Sequence, residues 1–267
     1  MSVETIDISQ IFKNSNSKFL KNLPNYAVRI IAKIIKQEEI NQFIKKYPDV
    51  YGVDLLPKIV EEFNLKFTIE GEENLPDKGK CFFVANHPFG MIDGLILTSI
   101  VGKKYGDLKA IGNDAWLFVP NLRPIIASVN VFGKNSRKEI MELEKIYASD
   151  IPITHFPYGL VSRIYKFKIQ DKFWTKSFIK KAILNKRDIV PIRFYGKNSN
   201  LFYAIYLFRQ IFRIKANIEL ALLPREFFRK RGKTIKVKIS KPVQHKELSN
   251  SLSHWDWAQK IRAIVYN

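Results

Sequence analysis

Val84-Ala85-Asn86-His87-Pro88-Phe89-Gly90-Met91-Ile92-Asp93-Gly94 is the stretch that decides the fold. An apolar run, Cys81–Asn86, delivers a histidine at its C-terminal end, and a loop with two glycines returns a carboxylate close by. In α/β proteins ligands collect outside the carboxyl ends of the strands, so this is where such a fold would keep its chemistry.

Outward from it, short β-branched or aromatic runs alternate with helical stretches. The strands expected are Leu65–Glu70, Cys81–Asn86, Leu108–Ile111, Ile125–Phe132, Ile151–Phe156, Ile189–Tyr195, Ala216–Leu223 and Thr234–Ser240. Helices are expected near Ile92–Lys103, Ser136–Ala148, Trp174–Asn185, Asn200–Arg213 and His254–Tyr266. Such alternation predicts a mostly parallel α/β sheet flanked by helices on both faces. Only Pro224–Lys233 separates the last two runs, too little for a helical crossover; an antiparallel pair there makes the sheet mixed. Residues 18–64 read as helical, with Ala27, Ile30, Ile31, Ile34 and Ile35 at helical spacing, so the chain divides into an N-terminal helical segment, 1–64, and a main domain, 65–267.

The chain has 267 residues, 46% hydrophobic and 26% charged, which excludes a disordered or low-complexity polymer. Its 45 Lys plus Arg against 25 Asp plus Glu leave +20, so an anionic partner is expected. The single cysteine, Cys81, lies in an apolar run and reads as packing, in keeping with a reducing compartment. The first residues carry acids and no apolar core, so no export signal is expected. The richest apolar stretch, Ala115 to Phe132, is broken by Pro120, Asn121, Arg123 and Pro124, so no membrane span is expected either.

A histidine titrates near neutrality and can take a proton from an attacking hydroxyl, while a carboxylate on its other nitrogen fixes tautomer and orientation. Taken alone, the stretch fits equally well a structural loop histidine with Asp93 capping the next helix. A second strand end, Thr154-His155-Phe156-Pro157-Tyr158-Gly159-Leu160-Val161-Ser162-Arg163, displays a hydroxyl and a guanidinium after a Pro/Gly turn. The fork of Arg163 suits a phosphate or carboxylate, or simply faces water.

Together the two stretches resemble the signature of the glycerolipid acyltransferases typified by bacterial 1-acylglycerol-3-phosphate acyltransferases, N-H-x-x-x-x-D and, about seventy residues later, F-P-x-G-x-R-S. The likeness spans roughly residues 65–245. It implies the glycerolipid acyltransferase fold and O-acyl transfer from a thioester of coenzyme A or acyl carrier protein to a lysolipid hydroxyl. It also implies His87 as base, Asp93 as its orienter, and Asn86, Gly90, Phe156, Pro157, Gly159, Ser162 and Arg163 around the substrate. No cofactor beyond the thioester co-substrate is implied. Three departures stand out. Five residues rather than four separate His87 from Asp93, so Gly90 must absorb one more; Tyr158 replaces the usual acid; and the family's Asp-Arg block has only Val131 to Arg137 as a loose counterpart, with Arg137 as a candidate oxyanion partner. These place the chain near hemolysin-related bacterial relatives, some of which resemble enzymes that acylate lyso-aminolipids instead of lysophosphatidic acid.

An acceptor lipid implies docking at an anionic surface, and the expectation is a peripheral protein on the cytoplasmic face of the inner membrane. Leu201–Phe208 with Arg209, Phe212, Arg213 and Lys215, and the helix at Leu23–Lys36, are the candidate docking elements; core helices are the alternative for both. Arg229-Lys230-Arg231 with Lys233, Lys236 and Lys238 would suit a nucleic-acid-binding protein, but no recognition motif accompanies them and no nucleic acid is expected. A hydrolase would need water activated by the same histidine, and no G-x-S-x-G elbow is present. The turn Gly-Lys-Asn-Ser occurs at 133–136 and 196–199 without the residues of a P-loop. The four histidines, 87, 155, 245 and 254, form no metal-binding pair, and no metal is expected.

Overall fold

The computed structural model describes residues 4–14, 21–113, 119–129, 136–214, 217–248 and 252–267. Helices α1 (Ile8–Lys13), α2 (Asn25–Ile34), α3 (Gln37–Lys46) and α4 (Leu55–Glu62) come first. Strand β1 (Lys66–Glu70) and β2 (Cys81–Ala85) lead to α5 (Met91–Tyr105), β3 (Lys109–Asn113), β4 (Ile126–Val129) and α6 (Arg137–Ala148). Then follow β5 (Ile153–His155), a small hairpin of β6 (Arg163–Tyr165) and β7 (Lys168–Gln170), α7 (Ser177–Asn185) and β8 (Asp188–Phe194). The chain closes with α8 (Asn200–Ile211), α9 (Leu223–Arg229), β9 (Thr234–Ile239) and α10 (His254–Tyr266).

Seven strands form one sheet in the order β1-β9-β8-β2-β5-β3-β4, parallel throughout except between β8 and β9. β2 lies at its centre between β8 and β5, and all five of its residues are buried, as a continuous apolar run demands. Phe83 and Ala85 face a core built with Leu56 and Ile59 of α4 and Ile96 of α5; Phe82 and Val84 face a second core with Phe178 and Ile179 of α7 and Ile261 of α10. The sheet is therefore covered on both faces. Because α4 contributes Leu55, Leu56 and Ile59 to the first core, the last helix of the 1–64 segment belongs to the main domain's packing.

The mixed sheet has a different antiparallel pair from the one expected. Ala216–Leu223 is not a strand: Ile218–Leu222 is a 3-10 turn running directly into α9, with Pro224 in its first turn, where the missing N–H is not needed. Residue 216 lies outside the described residues. β9 pairs instead with β8, Ile192 against Ile239 and Phe194 against Val237. β4 ends at Val129, and 130–132 of the expected strand lie outside the described residues.

One buried cation locks two layers. Arg187, fully buried, donates from Nε to the Tyr147 carbonyl at 2.7 Å and from its two terminal nitrogens to Ile151 at 2.8 Å, Ile146 at 3.0 Å and Ser149. It thereby collects carbonyls at and just beyond the C-terminus of α6, which no intrahelical N–H can reach. Arg187→Leu should strand several of them and cost about 2–4 kcal/mol of stability, read as a lower chemical-denaturation midpoint.

Candidate functional site

His87 is the second residue past β2. The strand end is held by Asn86, which is buried and uses its side-chain amide as a peptide mimic, accepting from Phe194 N at 2.7 Å and donating to Phe194 O at 2.9 Å. Both its polar groups are thus spent on β8, and Asn86 positions the strand instead of contacting substrate. The extra residue between His87 and Asp93 is taken up by Gly90, which caps α5 at φ 86°. That φ strains any residue with a Cβ, and a Cβ there would also stand 2.9 Å from Leu223 Cδ2, so the leucine would have to give way. With the helix opening at Met91, Asp93 becomes its third residue. Its Oδ2 accepts from Phe89 N at 2.8 Å and Gly90 N at 3.0 Å, and lies 3.1 Å from His87 Nδ1. That last contact is at ion-pair distance but off the axis of an aligned hydrogen bond, and Oδ1 has no hydrogen-bond partner. Burial pushes the Asp93 carboxyl above the ordinary carboxylate range, while His87 and the two amides pull the other way. The capping and the pairing readings of Asp93 are both realised, on one oxygen.

The turn after β5 supplies the other wall. Phe156 stacks on the His87 ring with centroids 3.9 Å apart and planes 26° apart. The Phe156 carbonyl accepts from Gly159 N at 2.9 Å, and Gly159, at φ 73°, has open space where a side chain would be. The Pro157 carbonyl accepts from both N and Oγ1 of Thr175. Aromatic stacking and the Asp93 contact fix two sides of the imidazole, leaving Nε2 as the nitrogen free to meet a hydroxyl; the side chain keeps 18% of its surface exposed.

Besides Asn86, three further expected contacts are corrected. Ser162 is buried, with Oγ donating to Asp171 Oδ1 at 2.5 Å and N donating to the His87 carbonyl at 2.8 Å. Arg163 is buried too. It donates to Glu219 Oε1 from Nε at 3.1 Å and from a terminal nitrogen at 2.9 Å, and to the Val161 carbonyl at 2.5 Å, with its plane over Phe202. A guanidinium out of water must be paired internally, so its fork is not offered to an acceptor. Arg137, exposed at the start of α6 after edge strand β4, stands three strands from β2 in the sheet order and is not part of the His87 cluster.

Sequence reading missed Asp171. Fully buried, it accepts from Ser162, from Trp174 Nε1 at 2.8 Å and, more distantly, from His87 N at 3.4 Å, so one carboxylate ties the two turns together. Burial pushes its carboxyl up, and Ser162, Trp174 and His87 oppose this. Glu219 was missed as well: set in an apolar run, it is the buried counter-ion of Arg163 and of Arg209, whose Nε is 3.0 Å away. Only Trp174, three residues on, gave a local hint of a buried acceptor near Asp171.

An acyltransferase family profile matches residues 10–266, nearly the whole chain. The chain belongs to the acyltransferase family. This acyltransferase is 37% identical over 266 residues to a lyso-glycine lipid O-acyltransferase of Phocaeicola vulgatus, covering 99% of this chain and 95% of that protein. It is 36% identical to the protein of the same name from Bacteroides thetaiotaomicron, covering 99% and 98%. The crystal structure of the 1-acyl-sn-glycerophosphate acyltransferase PlsC of Thermotoga maritima aligns with a TM-score of 0.48 and 14% identity, over 97% of this chain and 84% of that one. Among the described residues of the acyltransferase no cluster of three His, Cys, Asp or Glu side chains could hold a metal.

Its other strand-end histidine is different in kind. His155 alternates with Phe156 along the chain and faces α7, 6.1 Å from the Phe178 ring, and burial pushes it down to about 4. A histidine ordinarily titrates near 6.5, so between those values the unfolded chain binds the extra proton and stability falls as pH falls. His155→Gln should make the acid limb of a stability-versus-pH curve shallower between pH 6.5 and about 4.

Proposed function

We propose that this acyltransferase moves a fatty acyl group from a thioester of acyl carrier protein or coenzyme A to the hydroxyl of a lysolipid, with a lyso-aminolipid as acceptor. The observation that carries the mechanism is His87 held between the Asp93 carboxylate and the Phe156 ring with Nε2 unspent. The acceptor hydroxyl oxygen attacks the thioester carbonyl carbon as Nε2 takes its proton; the tetrahedral intermediate then expels the thiolate, which recovers the proton from the imidazolium. Asp93 and Phe156 keep the ring in place throughout. The two relatives named as lyso-glycine lipid O-acyltransferases match along the whole chain, and Arg163, the expected phosphate anchor, is spent on Glu219; both favour an acceptor without a phosphate.

Lipid acceptors require a surface. No helix among the described residues is long and apolar enough to cross a membrane. α8 buries Phe202 and Tyr203 but exposes Leu207, Phe208 and Ile211, with Phe212 and Arg213 just beyond, an apolar edge with a cation at its rim. With +20 overall, this reading puts the enzyme peripherally on the anionic cytoplasmic leaflet of the inner membrane, where each well-placed cation is worth about 1 kcal/mol.

His87→Ala should lower acyl transfer about 10²–10⁴-fold with the fold intact, and Asp93→Asn should lower kcat while the acceptor KM holds. Mass analysis of lipid products checks both; near-normal transfer by His87→Ala would sink the mechanism, and free fatty acid as sole product would indicate a hydrolase. The triple change Phe208→Ser, Ile211→Ser and Phe212→Ser should reduce flotation with phosphatidylglycerol vesicles at least tenfold. Equal binding to neutral vesicles, unaffected by salt, would count against the docking face.

A further inference from the structure

The strand beside β2 also ends in a turn that leads into a helix. β8 runs parallel to β2, Ala85 against Ile192, so Tyr195-Gly196-Lys197-Asn198-Ser199 leaves the sheet on the same side as the His87 turn and opens the 12-residue α8. Between this turn and the end of α9 lies a cavity of about 450 Å³ lined by Lys197, Asn198, Glu226, Arg229, Lys230 and Lys233, among others. Four cations face a single acid, and Glu226 is already occupied. It accepts from Ser199 N at 2.8 Å, Ser199 Oγ at 2.6 Å and Arg225 at 2.9 Å. Asn198 is 3% exposed and neither atom of its side-chain amide has a hydrogen-bond partner, whereas buried polar groups are normally satisfied by protein, water or ligand. A helix N-terminus adds its partial positive charge to the same spot.

The cavity is fused to the reacting turn. Gly196, at φ 138°, packs so closely on Phe89 that a Cβ would stand 2.2 Å from its ring. Lys230 Nζ lies 4.7 Å from the Phe89 ring centre and 2.9 Å from the Lys197 carbonyl. Phe89 is itself one of the two backbone donors to Asp93. Burial together with Lys233 and Arg229 holds Lys230 below the ordinary lysine range, as expected of cations packed close.

We propose that this cavity binds the phosphate of the pantetheine arm of the acyl donor, the anionic group that coenzyme A and acyl carrier protein share. The proposal rests on the acyl-transfer reading above and adds the donor's anchor to it. A donor phosphate is favoured over a lipid headgroup because the apolar edge of α8 at Phe208–Phe212 lies at the far end of the helix, roughly 15 Å from Ser199 at 1.5 Å per residue.

The test compares acyl-phosphopantetheine, acyl-coenzyme A and acyl-(acyl carrier protein) with acyl-pantetheine, which lacks the phosphate. The wild type should prefer each phosphorylated donor at least tenfold in kcat/KM, mainly through KM. In Lys197→Ala/Lys233→Ala that preference should collapse toward one, with the acceptor KM unmoved, and Lys197→Arg/Lys233→Arg should restore it. A preference that survives the double alanine change overturns the proposal. So does a variant that loses binding to phosphatidylglycerol vesicles but keeps its donor preference, which would assign the cavity to lipid headgroups. If the wild type forms no acylated lipid from any donor, the reaction reading fails separately. Calorimetric titration of coenzyme A into wild type and variant then still decides the cavity: tighter binding by the wild type supports it and equal binding overturns it.

Discussion

A carboxylate shut off from water organises this protein. Asp93 would be costly to bury alone, and the cost is met by two backbone amides and an imidazole converging on one oxygen. Everything around it serves that convergence. Gly90 can make the bend because it carries no Cβ, and α5 places the acid in its first turn, where the helix dipole favours negative charge. α5 in turn is seated by an almost wholly apolar surface: Ile92, Leu95, Ile96, Leu97, Ile100 and Val101 are all buried.

A second buried acid, Asp171, does for the neighbouring turn what Asp93 does for its own. Through Ser162 it fixes the segment that follows β5, and that segment's Ser162 amide closes on the His87 carbonyl. The imidazole is therefore located from three directions: the strand end held by Asn86, the helix start held by Asp93, and the stacked Phe156. The geometry of the candidate site is inherited from buried polar groups that bond to the backbone and to one another, a division of labour common where a site must be rigid.

How much of this could be read in the residues depended on whether the signal was local. Cys81–Ala85 announces a central strand because nothing polar interrupts it, and His87 and Asp93 are legible from the bend that follows. The run expected to pair with β9 is instead a 3-10 turn over Ile218–Leu222, and β9 lies between β8, the strand before it in the chain, and β1, the first strand of all, a neighbour that no local signal announces. Ile218–Leu222 has the composition of a strand, yet it forms a tight turn in which Glu219 is buried against Arg163, from a distant segment, and Arg209, from the helix just before it. The β6–β7 hairpin escaped notice because Lys166 and Phe167 take positive φ, at 48° and 61°, where glycine or asparagine would have signalled the turn. Ser162 and Arg163 were set around the substrate by the family resemblance alone; only tertiary partners, Asp171 and Glu219, reveal that they face inward.

The ionic trio of Arg163, Glu219 and Arg209 has a mechanical meaning. Arg209 rides on α8 and Arg163 directly follows the serine whose amide closes on the His87 turn, so a single acid rivets the amphipathic helix to that turn. On the proposed lipid surface α8 becomes a depth gauge: the level at which its apolar edge settles dictates how far an alcohol must rise out of the bilayer to be acylated.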